Sequence, residues 1–187
     1  MVRRYVLTGA PGSGKTTVLR RLQRLGWAVV EEAATDVIAR AQQRAIDAPW
    51  QQADFVDAIV AQQQRRRLRP VDPGTRVQFH DRSPLCTLAL AHWLGQAVTP
   101  LLADEIARIT EQRLYQRRVF LIRPLGFVEP TAARRISYPE SLRFERVHEA
   151  VYREHGFEIV DVARGDPSDR AAAIAAAVTE EAEPPAR

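Results

Sequence analysis

The chain has 187 residues, of which 45% are hydrophobic and 27% are charged. These fractions are those of an ordinary globular protein and exclude a fibrous or intrinsically disordered chain. The length suits one compact domain, which we expect to span residues 1–182, with 183–187 as a frayed tail. The formal net charge of +4 permits an acidic partner, but it is not by itself a nucleic-acid signature.

The sequence also argues against a secreted or membrane-spanning protein. Nowhere does it contain ~20 consecutive apolar residues, the length that a membrane-spanning helix needs. The apolar stretch before Gly9 is too short for the core of a signal peptide. Cys86 is the only cysteine and cannot form an internal disulfide. We therefore expect a cytoplasmic protein.

The first elements in chain order are a strand, a glycine-rich loop and a helix. Arg3–Thr8 is a short apolar run typical of a buried parallel strand, and apolar residues recur at helical spacing over Lys15–Leu25. The loop between them fits the P-loop pattern G-x-x-x-x-G-K-T, in which backbone N–H groups and the helix N-terminus surround a phosphate. We assign nucleotide binding to Gly9, Ala10, Pro11, Gly12, Ser13, Gly14, Lys15, Thr16 and Thr17.

Lys15 is the only lysine, because the other 26 of the 27 basic residues are arginines. Under so tight a loop a broad guanidinium would not fit, whereas a compact ammonium fits between the β- and γ-phosphate oxygens. We therefore predict that Lys15 is catalytic and neutralises charge on a transferring phosphoryl group. The hydroxyl of Thr16 is a predicted Mg²⁺ ligand, so the expected cofactors are ATP and Mg²⁺.

Acidic residues follow the next two predicted strands, Trp27–Val30 and Val77–His80. The carboxyl ends of parallel strands lie at the ligand-binding edge of a sheet. Asp81 is therefore a predicted Mg²⁺ ligand and catalytic residue, and Glu32 would accept the proton of an attacking hydroxyl or join the metal shell. Two alternatives stay open: Asp81 could cap the next helix, and Glu32 could simply favour a helix N-terminus.

The rest of the chain alternates between helical and strand patterns, which predicts a parallel sheet with helices on both faces. Strands four and five are predicted at Val119–Ile122 and Ile159–Val162. Helices are predicted over Phe55–Arg69, over Leu85–Trp93, from Pro100 to about Gln112, from about Leu142 to Gly156, and in a last alanine-rich segment capped by Ser168.

Arginines stand out at three further places. The first is a basic run made of Arg65, Arg66, Arg67 and Arg69. It lacks the interleaved aromatic residues of a nucleic-acid surface, so we interpret it as a solvated helix end. Arg82, beside Asp81, could clamp an anionic group or pair with a nearby acid, or it could be a surface arginine at a helix entry. Arg134 and Arg135 lie in an aperiodic segment, about 124–139, which we interpret as a mobile lid that brings catalytic arginines to the phosphoryl group.

Three sequence features together resemble one protein family: G-A-P-G-S-G-K-T-T in the loop, E-E-A-A after strand two and D-R-S-P after strand three. The family is the AAA-type P-loop ATPase/kinase domain family that includes the nicotinamide riboside kinase domain, and the similarity covers nearly the whole chain. It implies an α/β three-layer, nucleoside-kinase-like fold with a five-stranded parallel sheet in the order 2-3-1-4-5. It also implies ATP as donor and a lid that carries Arg134 and Arg135.

The resemblance also assigns individual residues. The family's strand-two glutamate falls on Glu32 and its strand-three aspartate on Asp81. The loop after strand five, Ala163–Pro167, would border the adenine, so Arg164 is a predicted nucleotide contact. Many members of the family are known only as ATPases, so the acceptor stays open.

Two functions fit these residues. The first is a kinase that transfers the γ-phosphoryl group of Mg-ATP to a hydroxyl of a small, nucleoside-like acceptor. The second is an ATPase or nucleotide-dependent switch that acts on a protein partner. Ras-like guanine recognition is disfavoured, because the chain has no asparagine for an N-K-x-D motif.

Overall fold

The computed structural model describes residues 2–128 and 136–181. Five strands and seven α-helices alternate along this part of the chain, with a short 3-10 helix at Pro49–Gln51. The strands are β1 Arg3–Thr8, β2 Ala28–Val30, β3 Val77–Asp81, β4 Arg118–Ile122 and β5 Glu158–Val162. The helices are α1 Lys15–Arg24, α2 Ala33–Gln42, α3 Phe55–Arg67, α4 Pro84–Trp93, α5 Pro100–Glu111, α6 Tyr138–Glu154 and α7 Pro167–Glu180.

The five strands form one parallel sheet in the order β2-β3-β1-β4-β5. The predicted fold class and strand order are therefore confirmed. In this register Leu7 of β1 lies beside Asp81 of β3, and Thr8 lies beside Leu121 of β4. The loop after β1 and the acidic end of β3 consequently meet at the same edge of the sheet.

Helices cover both faces of the sheet and create two cores, as expected for three layers. On one face, Tyr5 and Leu7 pack with Phe79, Phe120 and apolar residues of α1 and α7. On the other face, Val6 and Val119 pack against residues of α3, α4, α5 and α6. No helix in the described ranges is long and apolar enough to cross a membrane.

The interpretation of the basic run as a solvated helix end is wrong for two of its members. Arg66 and Arg67 are 7% and 9% exposed. The last turn of α3 passes beneath the start of α2, where Arg66 donates to the carbonyl oxygens of Glu31 and Glu32, both at 2.6 Å. Arg66 also pairs with the Asp36 carboxylate. A buried arginine is tolerated here because backbone and carboxylate oxygens satisfy its charge.

Two helix starts differ from the sequence prediction. Asp166, rather than Ser168, caps α7, because the Asp166 side chain accepts the backbone N–H of Ser168 at 2.7 Å. Helix α6 begins at Tyr138, inside the segment predicted as a lid. The cause is a capping box, in which Ser137 and Glu140 each accept the other's backbone N–H.

Candidate functional site

The loop between β1 and α1 has a backbone that requires glycine. Gly9 has φ 132°, and a Cβ there would lie 2.5 Å from the carbonyl oxygen of Ile122 on β4. Gly14, at φ 86°, precedes the first residue of α1. Both values lie where side chains are strained, so the loop reaches this tight conformation only with glycines. The helix N-terminus therefore faces an open cleft at the sheet edge, as in a phosphate-binding site.

Lys15 folds back onto this loop. Its Nζ donates to the carbonyl oxygens of Gly9 at 3.1 Å and Ala10 at 2.8 Å, and to Ser13 Oγ at 3.3 Å. Burial, reinforced by the nearby positive charge of Arg82, lowers the pKa of Lys15 to about 8. The ammonium is thus held at the loop but incompletely compensated, and a bound anion would restore its ordinary pKa.

Asp81 meets Thr16 across the strand edge. The Thr16 hydroxyl donates to Asp81 Oδ2 at 3.1 Å, while the buried Oδ1 has no hydrogen-bond partner. Burial, with repulsion from Glu32, raises the pKa of Asp81 to about 6. The alternative role as a helix cap is wrong, because Ser83 caps α4 by accepting the N–H of Leu85. An unpaired buried carboxylate oxygen beside a hydroxyl is an arrangement that suits a hard cation.

Glu32 and Arg82 form an ion pair at the same edge. Arg82 Nε donates to Glu32 Oε1 at 2.6 Å, and the Arg82 side chain is only 12% exposed, so it is not a surface residue. Burial by itself would raise the pKa of Glu32, but attraction to Arg82 and Lys15 outweighs it and lowers that pKa. Glu32 is therefore an ionised carboxylate near neutral pH.

Arg82 also contacts His148 of α6, with 2.9 Å between Arg82 Nη1 and His148 Nε2. The Nδ1 of His148 lies 2.9 Å from the carbonyl oxygen of Phe144. Burial and the charge of Arg82 lower the pKa of His148 well below its ordinary value, so the ring is neutral. Its Nδ1 then donates to Phe144 and its Nε2 accepts from Arg82. Arg82 itself has φ 73°, an uncommon backbone conformation that this double contact holds in place.

Sequence reasoning missed two residues that support the loop from other helices. Arg170 of α7 is 4% exposed and donates to the carbonyl oxygens of Ser13 at 2.9 Å and Arg123 at 2.7 Å. Glu145 of α6 accepts the N–H of Ala10 at 3.4 Å. The one signal in the sequence is that Arg170 is the only basic residue of an alanine-rich helix.

We predict that Arg170→Ala destabilises the protein by about 1–3 kcal/mol, because the buried carbonyl oxygen of Ser13 and the partly buried carbonyl oxygen of Arg123 would lose their donor. The same variant should bind ATP more weakly, since the loop would no longer be fixed at Ser13. Urea denaturation and ATP titration measure the two effects, with Arg146→Ala, an exposed helical arginine outside the cavity lining, as matched control. Unchanged stability and affinity in Arg170→Ala would refute this supporting role.

A cavity of about 710 Å³ runs from the loop into the protein. Its loop end is lined by Lys15, Thr16, Thr17, Glu32 and Arg82. Its other end is lined mainly by apolar and aromatic side chains from α2, α3, α4, α6 and the segment after β4: Ile38, Trp50, Phe55, Ile59, Leu90, Trp93, Leu94, Phe127, Ile136 and Phe144.

The structure therefore brings together only some of the predicted site residues. The loop residues, Glu32 and Asp81 come together at one edge of the sheet. Arg164 lies on an exposed loop, where its guanidinium is 3.4 Å from the carbonyl oxygen of Leu125. Arg134 and Arg135 lie outside the described residues. Within the described ranges no group of three or more His, Cys, Asp or Glu side chains could hold a metal.

Comparisons with known proteins extend this description. The AAA domain family model matches residues 4–170, whereas a comparison with curated protein sequences found no match. The fold is similar to that of NadR in complex with NAD and AMP-PNP, with TM-score 0.68 and 17% identity. It is also similar to NadR in complex with NR, with TM-score 0.70 and 21% identity.

Both superpositions cover 100% of this chain but only 51% and 53% of the NadR chains, so the chain spans about half the length of those proteins. At these identities the likeness establishes the fold alone. The family assignment rests on the match to the family model, which covers most of the chain. The matched residues include the glycine-rich loop, both acidic strand ends and the start of α7. The chain belongs to the AAA domain family of P-loop proteins.

Proposed function

We propose that this protein is an ATP-dependent phosphotransferase that moves the γ-phosphoryl group of Mg-ATP to a hydroxyl of a small, nucleoside-like acceptor. One observation carries the proposal: a single cavity joins the Lys15 loop to a second, largely apolar space. Its volume of about 710 Å³ lies within the range of small-molecule sites. Hydrolysis of ATP alone does not require that second space. AMP-PNP, the ligand of one similar NadR structure, supports a nucleotide at the loop.

The residues at the sheet edge fit a magnesium ion. Thr16 offers a hydroxyl, and Asp81 offers a carboxylate whose buried Oδ1 lacks a partner. Mg²⁺ usually takes one or two protein oxygens and completes its shell with phosphate oxygens and water, so a larger cluster of carboxylates is unnecessary. The ion would supply neutralisation of phosphate charge at this edge.

The other groups have separate tasks in this proposal. Lys15 stabilises the charge of the transferring phosphoryl group. Glu32 is ionised, lines the cavity and is held at both its carboxylate and its carbonyl, by Arg82 and Arg66 respectively. It therefore suits the role of accepting the acceptor's hydroxyl proton. Arg134 and Arg135 would add positive charge from the segment that follows β4.

The test is ADP release from ATP and Mg²⁺, with and without a panel of nucleosides and other small alcohols, with products identified by mass spectrometry. We expect one acceptor to raise turnover many-fold over the water background and to be recovered in phosphorylated form. ADP release that no acceptor changes, with no phosphorylated product, would contradict the kinase proposal and favour the ATPase or switch with a protein partner.

A further inference from the structure

The apolar end of the cavity has walls that suit a flat ring. Its lining includes Trp50 and Phe55, which belong to one apolar cluster, and Trp93 and Phe144, which belong to another; Leu90 packs against both. Trp93 and Phe144 stack with ring centroids 5.2 Å apart and an interplanar angle of 27°. Aromatic and branched apolar walls of this kind stabilise a planar apolar body by burial and by ring contacts.

The charges that line the cavity are distributed unevenly. Within residues 2–128 and 136–181, its cationic lining groups are Lys15 and Arg82. Lys15 is held at the phosphate-binding loop, and Arg82 is paired with Glu32 and His148. The two lining carboxylates are Glu32 and Glu140. A negatively charged compound in the cavity would therefore be exposed to these carboxylates. Among the described lining residues, both cations are already bound to other groups of the protein.

The cavity lining also includes an uncharged pair of polar side chains. Thr87 donates to Gln63 at 3.1 Å, and both side chains line the cavity. A hydroxyl, carbonyl or ring nitrogen can exchange hydrogen bonds with such a pair. A phosphate or carboxylate would be desolvated there without compensation, which is costly.

We infer that the acceptor is a hydroxyl compound with a flat ring body and no negative charge, so that nucleosides and aromatic alcohols enter the cavity while nucleoside monophosphates and aromatic carboxylates are excluded. This inference rests on the proposed function, because it takes the apolar end as the acceptor site. It narrows that function to acceptors that carry no phosphate before the reaction.

Tryptophan emission can test the inference without turnover. Trp50 and Trp93 line the cavity, whereas Trp27 packs edge-on against Phe79 on the sheet. The protein is first saturated with Mg²⁺ and AMP-PNP, so that the P-loop cannot capture a probe's phosphate. Two matched probe pairs are then titrated: uridine against uridine 5′-monophosphate, and 2-phenylethanol against phenylacetate. Trp93→Phe identifies the reporting side chain.

We expect at least one neutral probe to quench the emission in a saturable manner, and its anionic counterpart to bind at least about tenfold more weakly. Equal or tighter binding of the anionic member would overturn the inference, and so would a complete lack of binding by both neutral probes. Neutral binding without phosphorylation of any acceptor in the ADP-release assay would instead contradict the proposed function, which keeps the two failures apart.

A gain-of-function variant strengthens the test. Leu94 lies at the end of α4 and lines the apolar end of the cavity. Leu94→Arg places a cation there and should reduce the difference within each probe pair, whereas the matched Leu94→Gln variant should leave it. An unchanged preference in a folded Leu94→Arg variant would show that charge at this end does not set the selectivity.

Discussion

Lys15→Ala is expected to lower kcat/KM for ATP by about 10²–10³-fold or more, the cost of removing one preorganised charge from a phosphoryl-transfer site. The lysine ammonium is anchored by three oxygens of the loop, so it faces the cleft in a fixed position. Lys15→Arg should be almost as inactive, because the guanidinium is too broad for this loop. Steady-state ADP release with the exposed Arg20→Lys variant as control measures the effect.

The lowered pKa of Lys15 adds a second readout for the same residue. In the nucleotide-free protein this pKa is about 8, so at pH 8.5 much of the side chain is neutral. Bound phosphate favours the ammonium, and ATP binding should therefore take up protons at that pH. Calorimetry in buffers of different ionisation enthalpy measures this uptake, which Lys15→Ala should remove. Full activity in Lys15→Ala, or proton uptake that survives the substitution, would contradict the assigned role.

The parts of the site that the sequence predicted are those fixed by local chemistry. Gly9 must adopt a backbone that other residues resist, and Asp81 ends a short predicted strand, so each position can be recognised from the sequence alone. The strand order was predicted only through the family resemblance, because apolar runs alone do not state which strands are neighbours.

The parts that the sequence did not predict depend on contacts between distant elements. Four side chains reach the site from α3, α6 and α7: Arg66, Glu145, His148 and Arg170. Their spacing in the sequence does not indicate which residues they contact. The sequence predicts that the basic run containing Arg66 is a solvated helix end, because the run closes a glutamine-rich stretch and lacks interleaved aromatic residues. The burial of Arg66 follows from where α3 meets α2, which is a property of the tertiary packing.

Asp81→Asn is expected to lower Mg²⁺-dependent turnover by about 10²-fold or more while making the nucleotide-free protein more stable. Asparagine keeps the shape and can still accept the hydrogen bond from Thr16, but it removes a buried charge whose Oδ1 has no partner. A purely structural aspartate would give the opposite result, because its replacement would cost stability and spare turnover.

The pH dependence of stability separates these two outcomes. The pKa of Asp81 is about 6 in the folded protein, above its ordinary value of 3.8, so the folded state binds the proton more tightly than the unfolded state. As pH rises from about 4 to about 6, ionisation of Asp81 should therefore reduce the stability of the wild-type protein, and the loss should be complete above pH 6.

Asp81→Asn lacks this titration, so its advantage in unfolding free energy should grow through the same window to on the order of 1–3 kcal/mol at neutral pH. Urea denaturation at several pH values measures the difference, with the exposed Asp104→Asn as control, for which we expect at most about 0.5 kcal/mol. If Asp81→Asn loses stability at pH 7 and retains turnover, the carboxylate is a structural group. If it gains stability and loses turnover, the charge is retained at this strand end for the metal and the nucleotide.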